Sequence, residues 1–187
     1  MSLALSDGSD AELAALALAG RQDAYRELLV RHREPVFRLV RANVGDSSEA
    51  LDITQEVFVS AFAALKRYDT NRPFIAWLKR IAINKCRDWA RRRAVRSFFN
   101  RAVPLENAFA ISDDAPLPDT LAADRAELAR VSVAIARLPT RLREVLMLRT
   151  VDGLGQGDAA EILGVSEKTI ETRLYRARVK LKALLDE

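Results

Sequence analysis

Apolar residues recur along most of the chain at intervals of three and four positions, and no segment alternates apolar and polar residues long enough to predict a strand. This pattern predicts the all-α fold class. Helix starts are marked by Ser9 with Glu12 three residues later and by Asp46 before two serines. Pro35 falls within a helix predicted from about residue 23 into the forties, and we expect it to kink or interrupt that helix.

The last third of the chain is predicted to form four helical segments separated by proline or glycine. They span about 121–138, 140–151, 156–163 and 167–185. Gly164 joins the third segment to the fourth, and Ser166 is placed to cap the fourth. The third is preceded by Gly155, which supplies no side-chain cap. A short helix, a glycine turn and a capped helix in this order predict a helix-turn-helix.

The segment between the two helical parts differs from both in charge and composition. Residues 102–127 carry six acidic residues against Arg125 alone, together with three prolines and no sustained apolar period. Such a segment is typical of a linker. We therefore predict two small helical domains, residues 1–97 and 123–187, joined by a flexible acidic linker at 98–122.

Composition excludes several classes of protein. One cysteine, Cys86, cannot form an internal disulfide, and with one histidine, His32, it cannot build a Cys/His zinc cage. No apolar run approaches the roughly 20 residues that span a bilayer, and the first residues lack the features of a secretory signal. We expect a cytoplasmic protein without membrane insertion, bound metal or cofactor.

The net charge of +4 is small, but its distribution is uneven. Between residues 79 and 101 there are nine basic residues and one acid, Asp88. Four polar residues in this run share one helical stripe that can face phosphates and a base edge. They are Arg80, Asn84, Arg87 and Arg91. Phe74 and Trp77, at the start of the same helix, either pack in the core or act as platforms for unstacked bases.

Two further surfaces are indicated. Asp52, Gln55, Glu56 and Val59 lie off the apolar stripe of their helix, where an acidic face is ordinarily just solvated. The fourth helix of the C-terminal part carries short polar and basic residues in its first turns, as a recognition helix does. They are Ser166, Lys168, Thr169, Thr172, Arg173 and Arg176. A helical hairpin with a basic, solvated surface would have the same pattern.

Several motifs taken in order resemble the extracytoplasmic-function sigma factors of bacteria, which belong to the sigma-70 family. They are DITQEVF at 52–58, PFIAWLKRIAIN at 73–84, LP at 138–139 with REVL at 143–146, EILGVS at 161–166 and TIETRLYRAR at 169–178. The resemblance covers nearly all of both helical parts. Ordered motifs at these separations are far more specific than any one of them.

The resemblance implies a non-enzymatic subunit that binds the clamp and flap regions of RNA polymerase core and directs it to promoter DNA. Core binding would fall to Asp52, Gln55, Glu56 and Val59. The minus-ten element would be read and melted by the first domain and the minus-thirty-five element by the six recognition-helix residues. The minus-ten residues would be Asn71, Arg72, Phe74, Trp77, Arg80, Asn84, Arg87 and Arg91. An anti-sigma factor and a stress or envelope-type regulon are further expectations.

Three other functions remain open at this point. A helix-turn-helix regulator that is not a polymerase subunit would share the second domain, but its first domain would sense a ligand or dimerise. A metal-dependent nuclease could use Asp52 and Glu56, which lie on adjacent helical turns. A decoy that mimics a sigma factor would carry the same motifs.

Overall fold

A computed structural model of the chain describes the backbone of residues 5–99 and 119–186, with side chains over 5–96 and 127–186. All regular elements in these ranges are helical, so the predicted all-α class is confirmed. We call α1–α4 the N-terminal unit and α5–α8 the C-terminal unit. The helices are α1 (Asp10–Leu18), α2 (Gln22–Val44), α3 (Ser47–Ala63), α4 (Phe74–Phe99), α5 (Asp119–Arg137), α6 (Thr140–Leu146), α7 (Gln156–Leu163) and α8 (Glu167–Leu185).

The predicted linker, 98–122, overlaps the end of α4 and the start of α5. Its central residues, 100–118, lie outside the described part of the chain.

Helix starts follow the predicted caps. The Ser9 backbone N–H donates to Glu12 Oε2 at 2.8 Å, and the Glu12 N–H donates to Ser9 Oγ at 3.3 Å, which completes a capping box. Ser166 Oγ accepts from the Thr169 N–H at 3.3 Å and caps α8. Gly155 precedes α7 without any side-chain cap. These contacts are local, and a sequence pattern therefore predicts them well.

The expected interruption at Pro35 does not occur, because α2 runs unbroken from Gln22 to Val44. A proline inside a helix costs about 3 kcal/mol, because a hydrogen bond is lost and the ring meets the preceding turn. The side chains of Val36, Leu39 and Val40 just beyond it are buried, and each such burial contributes about 1.5–3 kcal/mol. The free energy gained by burying the side chains of the turn after Pro35 therefore exceeds the cost of placing a proline in the helix.

The N-terminal segment is tied to α2 by two neighbouring side chains. Arg31 donates from Nη1 to the Gly8 carbonyl at 2.7 Å and from Nη2 to the Leu5 carbonyl at 2.9 Å. His32 Nε2 lies 2.8 Å from Asp10 Oδ2. Burial lowers the pKa of His32 even though Asp10 acts in the opposite direction. These contacts hold α1 against the helix that carries much of the core.

One apolar cluster extends through both units. In the N-terminal unit it is formed by α1 to α4, and in the C-terminal unit it includes residues of α6, α7 and α8 and the π-helical turn Met147–Val151. A second, smaller cluster around Leu138, Leu146 and Ala177 holds α8 to α6. The two units are thus packed together, with α4 lying against α7 and α2 lying against α5.

Among the described helices, none has the length and apolar content needed to cross a membrane.

Removal of the Ser9 cap is expected to destabilise the fold by about 1 kcal/mol, because the Ser9→Ala variant leaves the first-turn N–H of Glu12 without its side-chain acceptor. Chemical denaturation of both proteins gives the difference. Ser48→Ala, at an exposed serine in the first turn of α3, should change stability by less than about 0.5 kcal/mol. Equal effects of the two substitutions would contradict the cap's contribution.

Candidate polymerase and nucleic-acid interfaces

An exposed acidic patch lies on α3. Its four residues are the predicted ones, Asp52, Gln55, Glu56 and Val59, and all are exposed. The Val59 side chain is 69% exposed, which is unusual for valine in a helix whose other face is core. The patch combines negative charge with an apolar residue, as protein-docking surfaces often do. We call it the α3 patch.

Buried residues of α3 and contacts with α4 hold the α3 patch in place. Ile53, Val57 and Phe58 are buried, so Phe58 is a core residue here. Trp89 Nε1 of α4 donates to Glu49 Oε2 at 2.9 Å, and Lys85 of α4 contacts Glu56 at 3.2 Å. These contacts fix α3 against α4 and leave the outer face of α3 available to a partner.

The loop before α4 presents Asn71 and Arg72 to solvent. Asp69 Oδ1 accepts from the backbone N–H and the side-chain amide of Asn71, both at 3.0 Å. Tyr68 Oη donates to the Arg72 carbonyl at 2.6 Å. The loop is therefore shaped by its own side chains, and it keeps two predicted DNA-binding residues accessible.

Phe74 corrects one of the predicted roles. Its side chain is only 1% exposed, and its ring contacts Tyr68, His32 and Trp77 with centroid separations of 5.0, 5.3 and 5.5 Å. No base can stack on a ring enclosed in this way, so Phe74 is a core residue that anchors the start of α4. Trp77 is partly exposed and remains the one predicted aromatic platform that a base could approach.

Trp77 lies on a cleft of about 390 Å³ between the two units. The N-terminal unit contributes Arg67, Arg72, Arg80 and Asp69 to its lining, and α7 contributes Asp158 and Glu161. The cleft therefore has a mainly basic and aromatic side facing an acidic side.

The predicted stripe on α4 is divided by its contacts. Arg80, Asn84 and Arg91 are exposed, and Arg91 pairs with Asp88 one turn away. Arg87 is only partly exposed and pairs instead with Glu144 of the C-terminal unit.

The six predicted residues of the recognition helix come together at the start of α8. Ser166, Lys168, Thr169, Thr172, Arg173 and Arg176 line one shallow surface depression. The Ser166 and Thr169 hydroxyls are 2.9 Å apart, and the Thr172 hydroxyl donates to the Lys168 carbonyl at 2.9 Å. Ile170 and Ala177, both fully buried, anchor the opposite face of the helix. The arrangement presents hydroxyls and guanidinium groups together, as contact with bases and phosphates requires.

One positioning contact in this helix-turn-helix has no counterpart in the sequence prediction. Gln156 Nε2, at the uncapped start of α7, donates to the Glu167 carbonyl at the start of α8 with a distance of 3.1 Å. The contact links the first turns of the two helices across the Gly164 turn.

Comparison with known proteins matches two parts of the chain to family models. Residues 28–96 match sigma-70 region 2, and residues 128–181 match sigma-70 region 4. The RNA polymerase sigma factor CnrH of Cupriavidus metallidurans is 42% identical over 183 residues, which cover 96% of each chain. The chain belongs to the sigma-70 family.

Within the family it groups with extracytoplasmic-function sigma factors. SigM of Mycobacterium tuberculosis, an ECF RNA polymerase sigma factor, is 32% identical over 95% of this chain and 85% of SigM. The structure of CnrH in complex with the cytosolic domain of CnrY superposes with a TM-score of 0.69 at 36% identity, covering 95% of this chain and 97% of CnrH. A region 2 match is not what the first domain of a ligand-sensing regulator would give.

In this sigma factor the α3 patch and α4 fall within region 2, and the helix-turn-helix falls within region 4. Three acidic residues of the C-terminal unit for which the sequence predicted no contact pair with residues of region 2. They are Glu144, Asp152 and Glu161, paired with Arg87, Lys79 and Arg72 respectively. Their partners lie far away in the sequence, so local spacing carries no signal for them.

Replacing Phe74 by alanine is expected to destabilise the sigma factor by about 3–5 kcal/mol, the usual cost of emptying a buried aromatic site. Urea denaturation would measure it. Val95→Ala, at an exposed position of the same helix, should cost less than about 0.5 kcal/mol. A Phe74→Ala protein as stable as the Val95→Ala protein would show that the ring is not a core element.

Proposed function

We propose that the three exposed surfaces divide the work of promoter-specific initiation between them. The α3 patch docks on the polymerase clamp, the loop 69–73 with the exposed face of α4 reads and melts the minus-ten element, and the start of α8 reads the minus-thirty-five element. In domain terms we assign residues 1–97 to the first two tasks, 123–187 to the third and to contact with the flap, and 98–122 to the linker. The proposal rests on one observation. This family member exposes an acidic patch and two basic surfaces, and buried residues on the opposite faces of the same helices hold these surfaces in place.

Melting of the minus-ten element needs compensation for lost base stacking. Unstacking costs a few kcal/mol per step, and an aromatic platform returns about 1–3 kcal/mol per base. Trp77 supports such a role because it is partly exposed beside Arg72 and Arg80. Asn84 is exposed one turn beyond Arg80 and has both a donor and an acceptor for a base edge. Arg91 is exposed further along the same face, and Arg87 would join it if its pairing with Glu144 were released.

Recognition of the minus-thirty-five element follows the geometry of a helix in the major groove. The N-terminal turns of a recognition helix reach base edges while flanking residues contact phosphates. Thr169 and Thr172 supply short polar groups near the cap, and Lys168, Arg173 and Arg176 supply positive charge around them. The buried residues of α8 keep this face directed outward.

The relatives support two further parts of the proposal. The CnrH structure is a complex with the cytosolic domain of CnrY, and we infer that an anti-sigma factor controls this chain as well, in a stress or envelope-type response. We also infer that the chain acts in the cytoplasm as a polymerase subunit without an enzymatic activity of its own. Nothing in these assignments calls for a cofactor.

Reversal of two charges in the α3 patch should separate docking from melting. The Asp52→Lys, Glu56→Lys variant is expected to bind core polymerase at least about tenfold more weakly, since two complementary charges become repulsive. Asn84→Ala should keep core affinity within about twofold but reduce promoter melting and minus-ten selectivity. Core affinity is measured by titration and melting by permanganate footprinting on a cognate promoter.

The matched control reverses Asp7 and Glu34, two exposed acids of the same unit outside the α3 patch. It should bind core like the parent chain. If the patch variant and Asn84→Ala lose core affinity equally, the residue assignments are wrong. If the parent chain with core polymerase starts transcription from no cognate promoter, the function itself is wrong.

The variant Arg173→Ala with Arg176→Ala should show a weaker salt dependence of holoenzyme binding to the minus-thirty-five element. Each lost phosphate contact reduces the slope of log K against log salt by about 0.9 on duplex DNA. Arg137→Ala with Arg141→Ala, two exposed arginines of the C-terminal unit outside α8, is the control. The same slope in the α8 variant and in the parent would argue against phosphate contact.

A further inference from the structure

One exposed acidic residue borders the basic surface at the start of α8. Glu171 is exposed, follows Lys168 by three positions and adjoins Thr172 in the sequence. Lys168 and Thr172 both line the shallow depression formed by the recognition-helix residues. Residues three apart are neighbours on a helix surface, so the Glu171 carboxylate lies beside this depression. From Lys168 to Lys182 the helix has six basic residues, and Glu171 is its one acid.

The protein itself gives this carboxylate no partner. Among the residues that the structure describes, the Glu171 side chain forms neither an ion pair nor a hydrogen bond. Glu167 lies in the first turn of α8, where the helix dipole favours an acid. Glu171 lies one turn later, where that effect has largely faded, and its charge repels that of Glu167 four residues before it. Helix stability therefore does not favour an acid at position 171.

The position of this carboxylate on duplex DNA decides whether it opposes or favours binding. Near a phosphate it opposes binding, because the two charges are alike. Near a base edge it is an acceptor without a hydrogen to donate, so it needs a donor from the base. Guanine and thymine present only acceptors and a methyl group in the major groove, whereas cytosine and adenine present an amino group.

Cytosine suits an ionised carboxylate better than adenine does. The adenine N6 amino group lies next to N7, an acceptor that repels a carboxylate oxygen, whereas no acceptor lies beside the cytosine N4 amino group on its own edge of the groove. A glutamate directed at base edges therefore favours cytosine over each of the other three bases.

We propose that Glu171 determines specificity within the minus-thirty-five element by accepting a hydrogen bond from the N4 amino group of a cytosine in the major groove. Arg173 and Arg176, which line the neighbouring depression, hold phosphates and offset the repulsion between the DNA and this acid. The inference rests on the proposed function, in which the start of α8 reads that element. It adds one defined feature of the element, a C·G pair at the position that Glu171 meets.

The test is a selection of promoter sequences by holoenzyme. The parent chain, Glu171→Ala and Asp186→Ala are each combined with core polymerase. Each holoenzyme then binds duplexes of a cognate promoter in which about ten base pairs around the minus-thirty-five position, one turn of the duplex, are randomised. Asp186 is an exposed acid just beyond α8, and its loss changes the net charge equally. Sequencing of the bound duplexes gives the base preference at each position.

The parent chain and Asp186→Ala are expected to select cytosine over each other base by at least about fivefold at one position. Glu171→Ala should lose the preference at that position and keep the selectivity elsewhere. A carboxylate that only repels phosphates would, on removal, raise the affinity for all sequences alike. Such a uniform increase would overturn the proposal, and so would loss of selectivity at a position where the parent prefers another base.

Glu171→Gln tests the same contact by changing its chemistry at nearly constant size. A glutamine amide has both a donor and an acceptor, the pattern that pairs with N6 and N7 of adenine. The preference at the selected position should therefore shift from cytosine toward adenine. A glutamine variant that still prefers cytosine over adenine as strongly as the parent does would contradict selection by an ionised acceptor.

A modified base tests the hydrogen bond from the side of the DNA. N4-methylcytosine keeps its pair with guanine, but a methyl group replaces the amino hydrogen that points into the major groove. Placed at the selected position, it should weaken binding of the parent holoenzyme at least about fivefold and that of the Glu171→Ala holoenzyme less than about twofold. Equal weakening of both would show that the amino hydrogen does not bind Glu171.

The selection also separates failure of this inference from failure of the proposed function. If the parent holoenzyme selects no base at any randomised position, α8 does not read the minus-thirty-five element, and the role of Glu171 falls with that assignment. If the parent selects bases at several positions and Glu171→Ala gives the same profile, the assignment of α8 stands and only the role of Glu171 is overturned.

Discussion

The packing of α4 against two neighbours governs the rest of the structure. Leu78, Ala82 and Ile83 complete the core formed with α2 and α3, so the helix cannot move without loss of the N-terminal fold. Its charged residues at 79 and 87 meet the C-terminal unit. Helix α4 therefore completes the core of region 2, bears the proposed minus-ten surface and contacts region 4. A change in one of these three roles affects the other two.

This shared use fits the small net charge of a chain with two basic surfaces that we propose to bind DNA. The acids of the α3 patch are exposed, whereas Glu144, Asp152 and Glu161 pair with basic residues of α4 and of the loop before it. A carboxylate placed within hydrogen-bonding distance of a guanidinium competes directly with a phosphate for the same donors. These ion pairs thus neutralise part of the positive charge of the N-terminal unit within the molecule.

The sequence predicted the features that depend on short-range contacts. The helices, the Ser9 and Ser166 caps and the joining of six recognition-helix residues on one face all follow from spacing along one helix. Three features did not follow. Pro35 fits inside α2 because packing of the next turn outweighs its cost, the Phe74 ring packs against His32 of α2, and Arg87 has its partner in α6. Each is decided by residues distant in the chain, which periodicity cannot reveal.

The contact between the two units also affects the proposed surfaces unequally. The four residues of the α3 patch are exposed, whereas Arg72 and Arg87 are already paired with Glu161 and Glu144 of the C-terminal unit. A phosphate would compete with these carboxylates for the same guanidinium donors. Because a ligand shifts an equilibrium only by its differential affinity for the two states, a partner that bound the α3 patch alone would leave these ion pairs unchanged.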